Sequence, residues 1–167
     1  MAYMEEYTDL LYELTDIDSN GIPELIINAP YSWQSIYTYD GNSLCAIIER
    51  EGYGTYGNWG YDYISGSNRL RYHINEGIGS ISYMIYMTLT PEYTLEVTDE
   101  LNLINAIDYN ENGRYDDDEW LEEPVYTLND AEITAEEYDA YYYSENFDSL
   151  WGSMTGEEMV SKLEQNT

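Results

Sequence analysis

Hydrophobic spacing along the chain predicts one short helix followed by a long run of strands. Met4, Tyr7, Leu11 and Leu14, with Leu10 beside them, recur at three- and four-residue intervals, the period of an amphipathic helix. Near Tyr12 the period drops to two, because residues 12–17 alternate apolar with polar side chains. After a polar loop, residues 23–28 have the apolar density of a buried strand, with Pro23 tolerated at its start. Residues 35–39 and 44–49 flank Asp40-Gly41-Asn42, a hairpin signal. A second hairpin pairs residues 61–64 with 69–74 across Ser65-Gly66-Ser67-Asn68. Ile81, Tyr83, Ile85, Met87 and Leu89 then alternate with Ser80, Ser82, Met84, Tyr86 and Thr88, which predicts a long strand with one face in the core, ended by Pro91. Further strands are expected over residues 93–97, 101–107 and 126–128.

Two capping boxes close the chain. Thr134 precedes Glu137 by three residues, and Thr155 precedes Glu158 by three, so hydroxyl and carboxylate satisfy free amides at two helix starts. The pattern as a whole predicts an α+β fold: a curved antiparallel β-sheet built as a meander of hairpins, with a short N-terminal helix and C-terminal helices. The 167 residues suit a single domain, residues 1–167.

Charge changes the picture of partners. Thirty-four acids against five Lys and Arg give a formal charge of −29. Binding a polyanion requires clustered cations that release its counterions, so nucleic acid and anionic membrane are not expected partners. The charge is also uneven: −7 over residues 1–24, −2 over 25–91 and −20 over 92–167. Acid-rich, lysine-poor surfaces occur in halophile proteins, and one Lys in 167 residues matches that habit. Disorder is not expected, because 43% of the residues are hydrophobic and 21 are Tyr. The single Cys45 excludes an intramolecular disulfide and lies in an apolar run that suits a small buried residue.

Two acidic loops carry the most specific spacing. A hard cation such as Ca²⁺ takes six or more oxygens, and side chains at loop positions 1, 3 and 5 converge when glycine at position 6 turns the backbone. Asp16, Asp18 and Asn20 fill those positions before Gly21, the Ile22 carbonyl is the position-7 ligand, and Glu24 closes the shell. Position 12 is Ile27, so the closing Glu of a helix-loop-helix EF-hand is absent and the loop feeds a strand instead. In the second loop Asp108, Asn110, Asn112, the Arg114 carbonyl, Asp116 and Glu119 occupy positions 1, 3, 5, 7, 9 and 12 around Gly113. Each loop has a plain alternative, a polar hairpin without metal; Asn112-Gly113 is itself a good two-residue turn.

The run Tyr12-Glu13-Leu14-Thr15-Asp16-Ile17-Asp18-Ser19-Asn20-Gly21-Ile22-Pro23-Glu24-Leu25-Ile26-Ile27 resembles the D-x-D-x-N/D-G-x-P-E-L segment of uncharacterised secreted proteins and lipoproteins of Gram-positive gut and rumen bacteria. It is similar to the calcium loops of VCBS and FG-GAP β-propeller repeats. The hairpin from Ile36 to Asn42 and the hairpin-to-helix segment from Tyr126 to Tyr138 look like the same group. The resemblance implies an extracellular, calcium-supported α+β domain, secreted or at the cell surface, with ligands at Asp16, Asp18, Asn20, Ile22 and Glu24. It implies no agreed activity, and a propeller would repeat the loop several times.

Residues for catalysis are sparse. His73 is the only histidine and sits in a predicted strand, where a hydrogen-bonded structural role is expected. No nucleophile elbow, P-loop or dinucleotide fingerprint is present. A pair of carboxylates can hydrolyse glycosides, but among 34 acids close pairs carry little information. Binding fits better. Trp33, Tyr53, Tyr56, Trp59, Tyr61 and Tyr63 lie in the nearly neutral, glycine-rich middle of the chain, and aromatic faces stack on sugars or on partner side chains. The same rings would equally serve to pack the sheet. The expectation is a non-catalytic extracellular or cell-surface binding module with structural Ca²⁺, presenting a Tyr/Trp-rich surface to a glycan or a surface protein. A small carboxylate-dependent glycoside-active enzyme and an acid-rich halophile domain without specific metal are the alternatives.

Overall fold

A computed structural model describes residues 10–52, 58–77 and 79–165. The predicted N-terminal helix around Met4 and Tyr7 lies mostly outside them. Within them the chain is mainly antiparallel β-structure with two short helices.

Four strands form the first sheet in chain order: β1 (Leu11–Thr15), β2 (Glu24–Ala29), β3 (Trp33–Tyr39) and β4 (Leu44–Gly52). The second sheet holds β5 (Asn58–Ile64), β6 (Arg69–Glu76), β7 (Ile81–Leu89), β8 (Leu95–Ala106), β9 (Trp120–Leu128), β10 (Ala131–Ile133) and β11 (Asp148–Ser149). Its spatial order is β10-β9-β8-β7-β6-β5-β11. The helices are α1 (Ala135–Tyr142) and α2 (Gly156–Gln165), each starting one residue after the threonine of its capping box. At α1 the Thr134 hydroxyl accepts the Glu137 N–H, and the Glu137 carboxylate accepts the Thr134 N–H at 2.9 Å.

Strand alternation explains how these pieces layer. Along β5, β6 and β7 one face carries Tyr61, Tyr63, Leu70, Tyr72, Ile85 and Met87. These side chains meet Ile17, Ile26, Ile36 and Ile48 of the four-stranded side, with Leu150 buried among them. The opposite face presents Met84, Tyr86 and Leu101, and α1 with its following segment covers it through Tyr138, Tyr141, Tyr142 and Phe147. The order is therefore small sheet, large sheet, helix. To place β11 beside β5 the chain crosses this second face from the β10 edge to the far edge. Two arginines tie the crossing segment down. Arg71 pairs with Asp62 at 2.6 Å and lies 4.6 Å from the Phe147 ring centroid, while Arg69 pairs with Glu145 at 3.1 Å.

Two expectations are corrected. One meander sheet was expected, and two stacked sheets are found; alternation specifies which side chains face inward but not which sheet they face. Residues 93–97 and 101–107 were expected as separate strands, but β8 runs unbroken through Thr98, Asp99 and Glu100. Its backbone stays paired to β7 across that polar stretch, with one register shift between Tyr86 and Met87.

Candidate functional site

The first acidic loop is the connection between β1 and β2. Thr15 pairs with Glu24 across the hairpin, so strand pairing brings position 9 of the loop back beside position 1. Local hydrogen bonds then shape the turn. The Asp16 carboxylate accepts the Gly21 N–H at 3.0 Å, Asp18 accepts the Asn20 N–H at 3.1 Å, and Asn20 Oδ1 accepts the Ile22 N–H at 2.6 Å. Gly21 adopts φ +83°, the left-handed conformation that glycine reaches without strain.

Glu24 is the buried member, with 0% exposure. Its Oε2 accepts the Ile17 N–H at 2.8 Å and its Oε1 accepts the Thr38 hydroxyl at 3.0 Å. Burial raises its pKa above the usual carboxylate value, and these hydrogen bonds act against that rise. Asp16 Oδ1 is buried as well and accepts no hydrogen bond among the described residues.

Oxygens of Asp16, Asp18 and Glu24 lie within 4.8 Å of one another. Ca²⁺–O distances of about 2.3–2.6 Å place oxygens on opposite sides of one ion about 5 Å apart, so the spread fits a shared cation. Without one, Coulomb's law gives repulsion of about 3 kcal/mol per ionised pair at that separation and an effective dielectric constant of about 20.

The second loop joins β8 to β9 and repeats the same turn chemistry. The Asp108 carboxylate accepts the Gly113 N–H at 2.8 Å and the Asn112 N–H at 3.1 Å, while Asn112 Oδ1 accepts the Arg114 N–H at 2.8 Å. A single 3-10 turn, Asp117–Glu119, brings the closing Glu119 inward to 3% exposure. There its carboxylate accepts the Asn110 amide at 2.9 Å and the Asp116 N–H at 3.0 Å. Asp116 Oδ2 accepts the Asn112 amide at 3.3 Å. Protein N–H groups thus hold the carboxylates of this loop. Among the described residues only the first loop gathers three carboxylate side chains within 4.8 Å.

The aromatic residues separate. Tyr61 and Tyr63 are core residues at 7% and 8% exposure, and their rings do not form an outer binding surface. Tyr61 stacks on Tyr72 with centroids 4.5 Å apart, and the Tyr63 hydroxyl accepts from Thr15 at 3.2 Å. The sequence shows their alternation but not that a second sheet covers that face. Trp33 is half-buried beneath the Arg50 guanidinium, 5.3 Å from its ring centroid. Trp59 is 53% exposed and stacks on His73 at 6.0 Å. Tyr53 and Tyr56 lie outside the described residues.

His73 is partly buried, with Nε2 3.1 Å from the Ser82 hydroxyl. Burial lowers its pKa below the ordinary 6.5. No helix of the described residues is long and apolar enough to cross a membrane. Comparison with known proteins finds no protein family, no curated protein and no solved structure that matches this chain.

Proposed function

We propose that the chain is a non-catalytic binding module stabilised by Ca²⁺ in the loop of Asp16, Asp18, Asn20, Ile22 and Glu24. The observation that carries this reading is Asp16 Oδ1, a buried carboxylate oxygen without a hydrogen-bond donor among the described residues, in a loop where three carboxylates converge within 4.8 Å. A buried oxygen of this kind is destabilising unless something compensates it, and a divalent cation also reverses the repulsion among its neighbours. The loop of Asp108, Asn110, Asn112, Arg114, Asp116 and Glu119 is the second candidate, supported by its matching turn hydrogen bonds. Calcium acts structurally here by holding loops in place. Extracellular calcium modules bind at about 10⁻⁴–10⁻³ M, which suits a secreted or cell-surface chain presenting its surface to a glycan or protein partner.

Thermal melts in Ca²⁺ and in EDTA test the metal. At a free Ca²⁺ concentration one hundred times Kd, one site stabilises by about 2.7 kcal/mol, which for a domain of this size raises Tm by about 5–10 °C. Coincident melting curves overturn the calcium reading. Asp16→Asn keeps an acceptor for the Gly21 N–H while removing a charge. It is expected to abolish most of the shift contributed by this loop without lowering Tm in EDTA.

A further inference from the structure

The apolar inner face of the small sheet ends in two polar side chains. Leu25 pairs with Tyr37 and Ile26 with Ile36, and the same register sets Glu24 opposite Thr38 one step further along. Side chains two apart on a strand share a face, so Glu24 and Thr38 continue the row of Ile26 and Ile36, which pack against the large sheet. Packing alone would favour apolar residues at both positions. Instead a carboxylate and a hydroxyl stand there, 0% and 1% exposed, and the Thr38 hydroxyl donates to Glu24 Oε1 at 3.0 Å.

Glu24 is held from two sides. Ile17, the buried residue between loop positions 1 and 3, donates its N–H to Oε2 at 2.8 Å. That bond comes from the loop itself, whereas the Thr38 bond comes from another strand and fixes the carboxylate relative to the sheet. A carboxylate offers about four lone-pair sites, so Glu24 accepts these bonds and can still face a cation shared with Asp16 and Asp18. An oxygen of each of the three lies within 4.8 Å of the others, and Asp16 Oδ1 beside them is buried without a donor among the described residues.

We propose that Thr38 is a positioning residue for the cation site of the first loop, a role that rests on the calcium reading above. Thr38 does not ligate the ion; its hydroxyl holds the closing carboxylate in the orientation that the site needs. Groups that hydrogen-bond to metal ligands in this way contribute about 10–100-fold to metal affinity. Loop spacing does not reveal Thr38, because it lies fourteen residues beyond Glu24 and meets it only through strand pairing. A bond that merely satisfies a buried carboxylate predicts the opposite effect. Its loss would leave Oε1 short of a donor in the free protein, a bound cation would make up for that, and Ca²⁺ affinity would stay the same or rise.

Calorimetric titration of the full chain with CaCl₂ tests the role, with every variant carrying Asp108→Asn so that the second loop lacks its position-1 charge. Thr38→Val is nearly isosteric and is expected to weaken Ca²⁺ binding about tenfold or more, while Thr38→Ser keeps the hydroxyl and should stay within about threefold of the parent. Thr38→Ala gives the same comparison if the Val variant does not fold, and Tm in EDTA reads stability separately from affinity. Unchanged or tighter binding without the hydroxyl, or equal weakening in Thr38→Ser, overturns the Thr38 role and leaves the calcium site standing. No Ca²⁺ binding by the parent, or binding that Asp16→Asn leaves intact, overturns the first-loop site and the Thr38 role together.

Discussion

His73 and Arg71 are adjacent in residue pattern on β6 but do different physical work. Burial disfavours the His73 imidazolium, so its folded pKa lies below 6.5 while in the unfolded chain it stays near that value. As pH falls from neutral through 6.5 the unfolded state takes up the proton first, and stability declines until the folded pKa is passed. The denaturation midpoint is therefore expected to fall between pH 7 and the folded pKa, and His73→Gln should flatten that part of the profile. An NMR midpoint for the His73 ring at or above 6.5 would contradict this. Arg71 and Asp62 are only 11% and 18% exposed at their side chains, so removing one partner leaves the other poorly hydrated. Arg71→Ala is expected to destabilise by about 2–3 kcal/mol, between the values for exposed and fully buried pairs, measured by urea denaturation. Arg71→Lys should recover only part of this, because an ammonium cannot reproduce the planar stacking over Phe147 and Tyr142.

The first acidic loop is also a joint between elements. Its Asp16 carbonyl accepts the Gly66 N–H at 3.0 Å, its Ile17 carbonyl accepts the Asn68 N–H at 2.9 Å, and the Ser19 hydroxyl donates to the Gly66 carbonyl at 2.7 Å. The β1–β2 loop of one sheet thus docks on the β5–β6 turn of the other. Asn68, at φ +55°, continues the link by bonding both backbone groups of Leu89 at the end of β7. Asn68→Ala loses both bonds and strains the turn, so a loss of about 1–3 kcal/mol is expected. Asn68→Gly relieves the strain but not the lost bonds, and a Gly variant as stable as the parent would show that the side chain is not the link. Much of this level was legible beforehand. Turn signals placed the hairpins, and threonine-glutamate spacing placed α1 and α2, because both depend on neighbours within a few residues. The dock between loop and turn was not, since it joins residues about fifty positions apart through backbone atoms that carry no sequence signature.

At the scale of the molecule, −29 charges repel one another whether or not the loops hold metal. Raising NaCl from 0.1 to 1 M shortens the screening length from about 10 to about 3 Å, so Tm is expected to rise with salt even in EDTA. A calcium-specific response should add to this at constant ionic strength and should shrink in Asp16→Asn, whereas the salt response should persist. If Mg²⁺ or extra NaCl reproduces the whole Ca²⁺ effect, generalised acidity of the halophile kind accounts for the charge better than a metal loop. Two bound Ca²⁺ would neutralise only four of the 29 charges. Calcium can therefore account for where acids cluster in loops, while solubility and self-repulsion remain properties of the whole surface.

Local features follow from the sequence by itself: the alternating strands, the turns, the helix caps and the regular spacing of acidic and amide side chains over Asp16 to Glu24 and Asp108 to Glu119. Each is encoded by side-chain chemistry repeated at short intervals. Tertiary structure decided which apolar faces meet, and with them the fate of the aromatic residues: stacking of the sheets buried Tyr61 and Tyr63 while Trp59 stayed exposed. It also sank Glu24 beneath Thr38 and left Asp16 Oδ1 without a donor among the described residues, turning an acidic spacing into a compact group of oxygens. Short-range pattern can specify the elements, but burial and electrostatic environment depend on contacts that exist only when the layers are assembled.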